Sequence, residues 1–166
     1  MTITKKLIFR IFISIVICFL IGALSAYAIQ SSVNTWYATL NKPGFTPPNW
    51  LFAPVSTVLY VIMGIAAGIV WTRGFYHKWV KTALYHFGFQ LLVNGLWSIV
   101  FFGFKRPLWG VMILLVLIAL ILLTIKWFKV INKTAAYLLI PYLIWIMYTT
   151  IVNFSIWQLN NNIHLN

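Results

Sequence analysis

Three groups of residues carry side chains suited to holding and orienting a small molecule. Gln90, Asn94 and Trp97 follow one another at i, i+4 and i+7, a spacing that places them on one face of a helix. Trp145, Thr149 and Asn153 stand four residues apart and stack likewise. Ser56, Tyr60, Gly64 and Gly68 repeat the same step. Amides and hydroxyls orient a ligand through hydrogen bonds, and indole rings offer broad apolar faces. The residues of bond-breaking chemistry are largely missing. The chain has no Asp and no Glu, so paired-carboxylate hydrolysis, carboxylate-held calcium or magnesium, and a carboxylate proton relay all lack their groups. Cys18 is the single cysteine and sits in an apolar run, as an inert packing residue does. His77 falls in a basic loop and His164 in the tail. His86 could ligate a haem iron, but it stands alone, so no metal site is expected.

Taken singly, Gln90, Asn94 and Asn153 read as interhelical hydrogen-bonding residues, and Gly64-x-x-x-Gly68 as a close-packing motif. Taken together, three such faces can enclose an aromatic cavity with polar spots. The elements that must position them are read from hydropathy. The chain of 166 residues is 63% hydrophobic and 18% aromatic, with a mean hydropathy of +0.96. A soluble domain of this length cannot hide that much apolar surface, so lipid covers it. Five continuous apolar spans are predicted over residues 7–29, 53–71, 82–104, 108–125 and 135–159. Each approaches the ~20 residues that a helix needs to cross the bilayer, and none alternates as a barrel strand would. The fold class expected is an all-α membrane protein, a five-helix bundle forming one domain over residues 1–166.

Between the first two spans lies TWYATLNKPGFTPPNW, residues 35–50. Pro43, Pro47 and Pro48 fix backbone angles and remove amide donors, so the stretch cannot be one helix. With Trp36, Tyr37, Phe45 and Trp50 it reads either as a lid over a cavity or as an interfacial loop with its rings at headgroup level. Trp71, Trp79, Trp109, Trp127 and Trp157 fall near span ends, as an interface belt does. Pro141 is placed to shape the start of the last helix.

All 12 charged residues are basic. A sequence pI near 10.2 would suggest nucleic acid in a soluble protein, but here the charges flank apolar spans. Orientation and anionic lipid explain them better, and no nucleic-acid partner is expected. With the N-terminus in the cytoplasm, the inner side holds Lys5, Lys6, Arg10, Arg73, Lys78, Lys81, Lys126, Lys129 and Lys133, and the outer side Lys42, Lys105 and Arg106. That bias places the aromatic loop and the C-terminus outside, in a membrane of bacterial inner type. Lys5, Lys6 and Arg10, an apolar run and then Ala26-Tyr27-Ala28 are similar to a secretory signal with its cleavage site. The run is long for a signal, however. Ser14, Cys18, Gly22 and Ala26 recur every four residues, as a retained packing helix would require.

In order along the chain, WYATLNKPGFTPPNW, LYVIMGIAAGIVW, QLLVNGLWSIVFFG and AAYLLIPYLIWIMYTTIVN resemble the tryptophan-rich sensory protein / translocator protein family (TspO/MBR). The resemblance runs from Trp36 to Asn160. It implies a five-helix bundle, often dimeric, whose ligand cavity is closed by the first loop. Family ligands are tetrapyrroles such as protoporphyrin IX and haem, with sterols and benzodiazepine-type drugs bound by animal members. No cofactor is required. By position, Trp36, Pro47, Phe52, Ser56, Tyr60, Asn94, Trp97, Trp145 and Thr149 fall on or near the family's pocket. Four departures matter. Ser56 replaces a pocket tryptophan to which light-dependent porphyrin breakdown is linked, so that enzymatic alternative loses an oxidisable ring. Thr149 stands where Ala is usual, and Ile113 where many members carry an acid. Phe154 to Asn162 contains no Tyr, Lys or Arg, so the sterol motif of animal members is missing.

The expected mechanism is therefore binding without covalent chemistry. A macrocycle would stack on Trp36, Trp97 or Trp145, Asn94 would supply an orienting hydrogen bond, and Lys42 is the nearest partner for propionates. A transporter is a further alternative, but no inverted repeat and no ion-coupling carboxylate is visible. Intact-mass measurement of the purified protein is expected to show the first span retained; a mature chain starting near Ile29 would contradict the five-helix reading. Lys42 is expected to be labelled by membrane-impermeant reagents from outside the cell and not from the cytoplasmic side.

Overall fold

The computed structural model describes residues 3–161, so His164 lies outside the described residues. All regular elements among them are helical: α1 (Ile3–Val33), α2 (Trp36–Thr39), α3 (Asn49–Trp71), α4 (Lys78–Ser98), α5 (Pro107–Ile131), α6 (Lys133–Tyr137) and α7 (Ile140–Asn161). Five helical segments are long and apolar enough to cross a membrane. The helices outrun the expected spans because the charged side chains at span ends continue the helix and can carry their heads back to the interface. Thus α1 includes Lys5 and Lys6, and α5 runs on through Lys126 and Lys129.

Proline sets the breaks. Pro48 holds an extended backbone and α3 begins immediately after it, so Asn49 and Trp50 form a first helical turn instead of ending the loop. Pro107 occupies the first turn of α5, where its missing amide proton costs nothing. The last span is two helices. Pro141 has no N–H to offer the Tyr137 carbonyl four residues back, and the chain turns at Leu138 and Leu139 between α6 and α7. The Asn132 side chain caps α6 by accepting from the Ala135 amide at 3.0 Å. At the other side of the bundle α4 ends in a π-turn, Ile99–Gly103. The wider turn buries both Phe101 and Phe102.

Around the bundle α1 packs on α3 and on α4, α4 on α5, and α5 on α7, while α3 meets α6 and α7 more lightly. Lipid tails are as apolar as the helix faces, so association rests on close packing and hydrogen bonds. The tightest place is the seam between α1 and α3. A Cβ at Gly64 would lie 2.6 Å from the Ile15 Cα, and one at Gly68 2.5 Å from the Ile11 Cα. The seam is pinned where Arg10 donates to the Trp71 carbonyl at 2.6 Å, with its guanidinium 5.5 Å over the Trp71 ring. At the loop end Ser32 Oγ donates to the Phe102 carbonyl at 2.6 Å.

Two cores result. Met63, Leu91, Leu114, Leu117, Ile121 and Phe128 fill the bundle away from the loop. Tyr37, Phe101, Phe102, Val152 and Ile156 form a smaller core beneath α2. Gly64→Ala and Gly68→Ala are each expected to destabilise the protein by about 1–3 kcal/mol through overpacking, a fall in the thermal midpoint of roughly 2–4 °C per kcal/mol. Gly88→Ala, where nothing lies within 4 Å of an added Cβ, should leave the midpoint unchanged or raise it. Differential scanning fluorimetry in one detergent checks both.

Candidate functional site

Between α1, α3, α4 and α7, at the loop end, the structure holds a partly open cavity of about 680 Å³, within the ~300–1,000 Å³ typical of small-molecule sites. Phe52, Ser56 and Tyr60 reach it from α3, Asn94 and Trp97 from α4, and Trp145 and Thr149 from α7. Of the nine residues that the family resemblance placed on or near the pocket, Trp36 and Pro47 lie elsewhere. Trp36 packs edge-on against Phe101 at 5.7 Å and faces away. Tyr37, about 100° further round the turn, lines the cavity instead. Pro47 is buried but does not reach the cavity.

The expected faces are therefore split by depth. Gln90, one helical turn before Asn94, is wholly buried outside the cavity, with both amide atoms unpaired among the described residues. Gly64 and Gly68 serve the α1 seam and not the cavity. The Asn153 amide, oriented by its neighbours, accepts from Trp97 Nε1 at 3.1 Å and donates to the Pro107 carbonyl at 3.1 Å. It braces a cavity wall from behind. His86 lies outside the cavity, with Nδ1 2.8 Å from the Thr82 carbonyl and its ring 6.2 Å from that of Trp127.

Lys42 is not free to meet a carboxylate. Its Nζ donates to the Tyr37 and Leu40 carbonyls at 2.7 and 3.2 Å and lies 4.7 Å over the Tyr37 ring. The proline-rich part of the loop is tied to α7. Tyr148 donates to the Phe45 carbonyl, and Asn41 and Asn160 exchange hydrogen bonds of 3.0 and 2.9 Å. The cavity is capped by Tyr37, Asn49 and Trp50, so the lid is narrower than the whole loop.

Inside, each of the four helices contributes a polar group. Asn94 Nδ2 donates to the Tyr60 hydroxyl at 3.1 Å. Ser25 Oγ and the Tyr142 hydroxyl also line the cavity, buried and without a partner among the described residues. An unpaired buried hydroxyl is costly, and a ligand hydrogen bond would satisfy it. The Thr149 hydroxyl is engaged by the Trp145 carbonyl at 2.8 Å, which leaves its methyl to the cavity. Trp145 meets Phe52 edge to face at 5.8 Å, and Trp97 stacks on Phe101 at 5.8 Å. No Lys, Arg, His or Cys is among the lining residues. Burial pushes the Tyr37 phenol up to about 12, so the cap is neutral as well.

Sequence reasoning missed the α1 wall, including Ser25, and Tyr142. The small-residue stripe of α1 was legible, but its direction was not. Each four-residue step advances ~40° round a 3.6-residue helix. Ser14 and Cys18 are buried, whereas Gly22 and Ala26 have turned into the cavity wall.

A profile of the TspO/MBR family matches residues 14–158. The tryptophan-rich protein TspO of Archaeoglobus fulgidus is 42% identical over 154 residues, covering 92% of this chain and 98% of that protein. The translocator protein of Homo sapiens is 39% identical over 129 residues, 76% of this chain and 75% of its own length. The tryptophan-rich sensory protein of Cereibacter sphaeroides is 36% identical over 141 residues, 85% and 87% of the two chains. The five apolar helices and these likenesses agree: the chain is an integral membrane protein and belongs to the TspO/MBR family.

Proposed function

We propose that this protein is a membrane sensor that binds a flat, mainly apolar small molecule, a tetrapyrrole of the protoporphyrin IX type, in the cavity between α1, α3, α4 and α7. The observation that carries the reading is the cavity's division of labour. Indole, phenyl and phenol rings supply the walls, while Ser25, Tyr60, Asn94 and Tyr142 supply neutral hydrogen-bonding groups. Aromatic walls suit a planar ring system, and a few fixed polar groups orient it. The names of relatives, a sensory protein and a translocator protein, support a role in sensing or moving a ligand.

The lining favours a ring without iron over haem. It offers no His, Cys or Met, so the usual axial ligands are missing apart from tyrosine. It also offers no cation, so the carboxylates of a porphyrin would stay at the mouth, beside the exposed amides of Gln30 and Asn49. Binding rather than breakdown fits Ser56, whose hydroxyl carries no oxidisable ring where the family has an indole. The excess of basic residues beside the far end of the bundle supports a bacterial inner-membrane setting, with the N-terminus in the cytoplasm and the cavity near the outer face.

Titration of protoporphyrin IX against intrinsic tryptophan fluorescence is expected to give saturable quenching. Asn94→Ala removes the hydrogen bond to Tyr60 and should weaken binding about tenfold. Trp145→Phe should weaken it by a similar or smaller factor, and Trp36→Phe should leave the affinity unchanged. Quenching that never saturates, or that ignores both Asn94→Ala and Trp145→Phe, would remove the cavity as the site.

A further inference from the structure

A second concavity, about 270 Å³, lies outside the main cavity between α2, the corner joining α4 to α5, and the end of α7. Lys105, Arg106, Trp36, Trp109, Trp157 and Asn160 are among its walls. We propose that it binds the phosphate headgroup of an anionic glycerophospholipid. The proposal is independent of the tetrapyrrole reading, since it shares no lining residue with that cavity.

Charge is the first argument. The chain has 12 cations and no Asp or Glu, so no side chain can neutralise Lys105 or Arg106. Two other cations, Arg10 and Lys42, are bound to backbone carbonyls. Lys105 and Arg106 are both exposed, and neither side chain has a hydrogen-bond partner among the described residues. A guanidinium beside an ammonium matches a phosphodiester, the first by a planar fork and the second as a point charge.

Rigidity is the second. The π-turn closes with bonds from the Phe104 amide to Ile99 and from the Arg106 amide to Val100, at 2.9 and 3.3 Å. Pro107 then keeps Arg106 out of the helical region, at φ −116° and ψ 83°. Between these constraints Lys105 takes a positive φ of 57°, uncommon for a residue with a side chain. The two cations therefore project from a fixed corner and not from a loose loop.

Depth and surroundings are the third. The corner joins two membrane-crossing helices, so it lies at headgroup level, where indole rings partition. Below it Leu108, Met112, Leu115 and Val116 are exposed along α5, at spacings that make one apolar track. A headgroup seated on Lys105 and Arg106 could lay an acyl chain there. That continuity selects a lipid over a free anion. The occupant would also lie against Asn160, which holds Asn41 of the loop.

Native mass spectrometry of the full chain, released from detergent with added phosphatidylglycerol or phosphatidylcholine, tests the site. Phosphatidylglycerol is expected to be retained preferentially. Lys105→Gln with Arg106→Gln should weaken its retention roughly thirtyfold, the factor for two cations at about 1 kcal/mol each. Lys78→Gln with Lys81→Gln, at the opposite end of the bundle, should leave retention as in the unmodified protein. Equal retention of the two lipids, no change in the Lys105/Arg106 variant, or an equal loss in the control variant would overturn the proposal. So would displacement of the lipid by inorganic phosphate, which would make the site one for a free anion. Should the Lys105/Arg106 variant not fold, the comparison of the two lipids on the unmodified protein still decides.

Discussion

The backbone of α1 lies directly on that of α3 at Gly64 and Gly68, and the rest of the molecule is arranged around that contact. Two helices in lipid gain little from burying apolar faces against each other, since the tails are equally apolar, so backbone proximity and its many dispersion contacts must hold them. The glycines sit only in the half of α3 away from the loop. Toward the loop α3 carries Tyr60 and Phe52, which cannot be approached so closely. Gly22 of α1 accepts the Tyr60 ring, which an added Cβ would meet at 2.6 Å. The same pair of helices is thus clamped at one end and propped apart at the other, and the space between them is the cavity.

That arrangement explains why one five-helix bundle has a packed half and an open half. Away from the loop, buried apolar side chains from α3, α4 and α5 pack against one another. At the loop end the π-turn adds a residue to the last turn of α4 and directs Phe101 and Phe102 inward beneath Tyr37. The aromatic roof rests on that turn, and Ser32 ties α1 to it. The cavity thus lies between the glycine-clamped seam and this aromatic roof.

Much of this was legible in the sequence, because it follows from local rules. Continuous apolar runs gave the spans, Pro48 and Pro107 the starts of helices, and the Gly-x-x-x-Gly step a packing face. What local rules could not give was azimuth and depth. Trp36 and Tyr37 are neighbours of similar chemistry, and only the turn at Asn34 and Thr35 decides which ring faces in. Gln90 and Asn94 share a face, yet one turn separates a buried amide from one beside the cavity. Ser25 belongs to no motif, and Tyr142 falls off the Trp145-Thr149-Asn153 face that spacing picks out. Their unpaired hydroxyls become visible only when the surrounding helices are in place.

The bond between Asn153 and Trp97 has a bearing on selectivity. An indole normally presents both a flat face and a polar edge. Here the edge is already spoken for, so on the proposed reading Trp97 would meet a guest with its π-cloud alone. It would then respond to whether that guest is planar and not to its substituent pattern. Discrimination among planar guests would then fall to the hydroxyl and amide groups of Ser25, Tyr60, Asn94 and Tyr142, and a binder built this way would admit a range of shapes while ranking them by polar decoration.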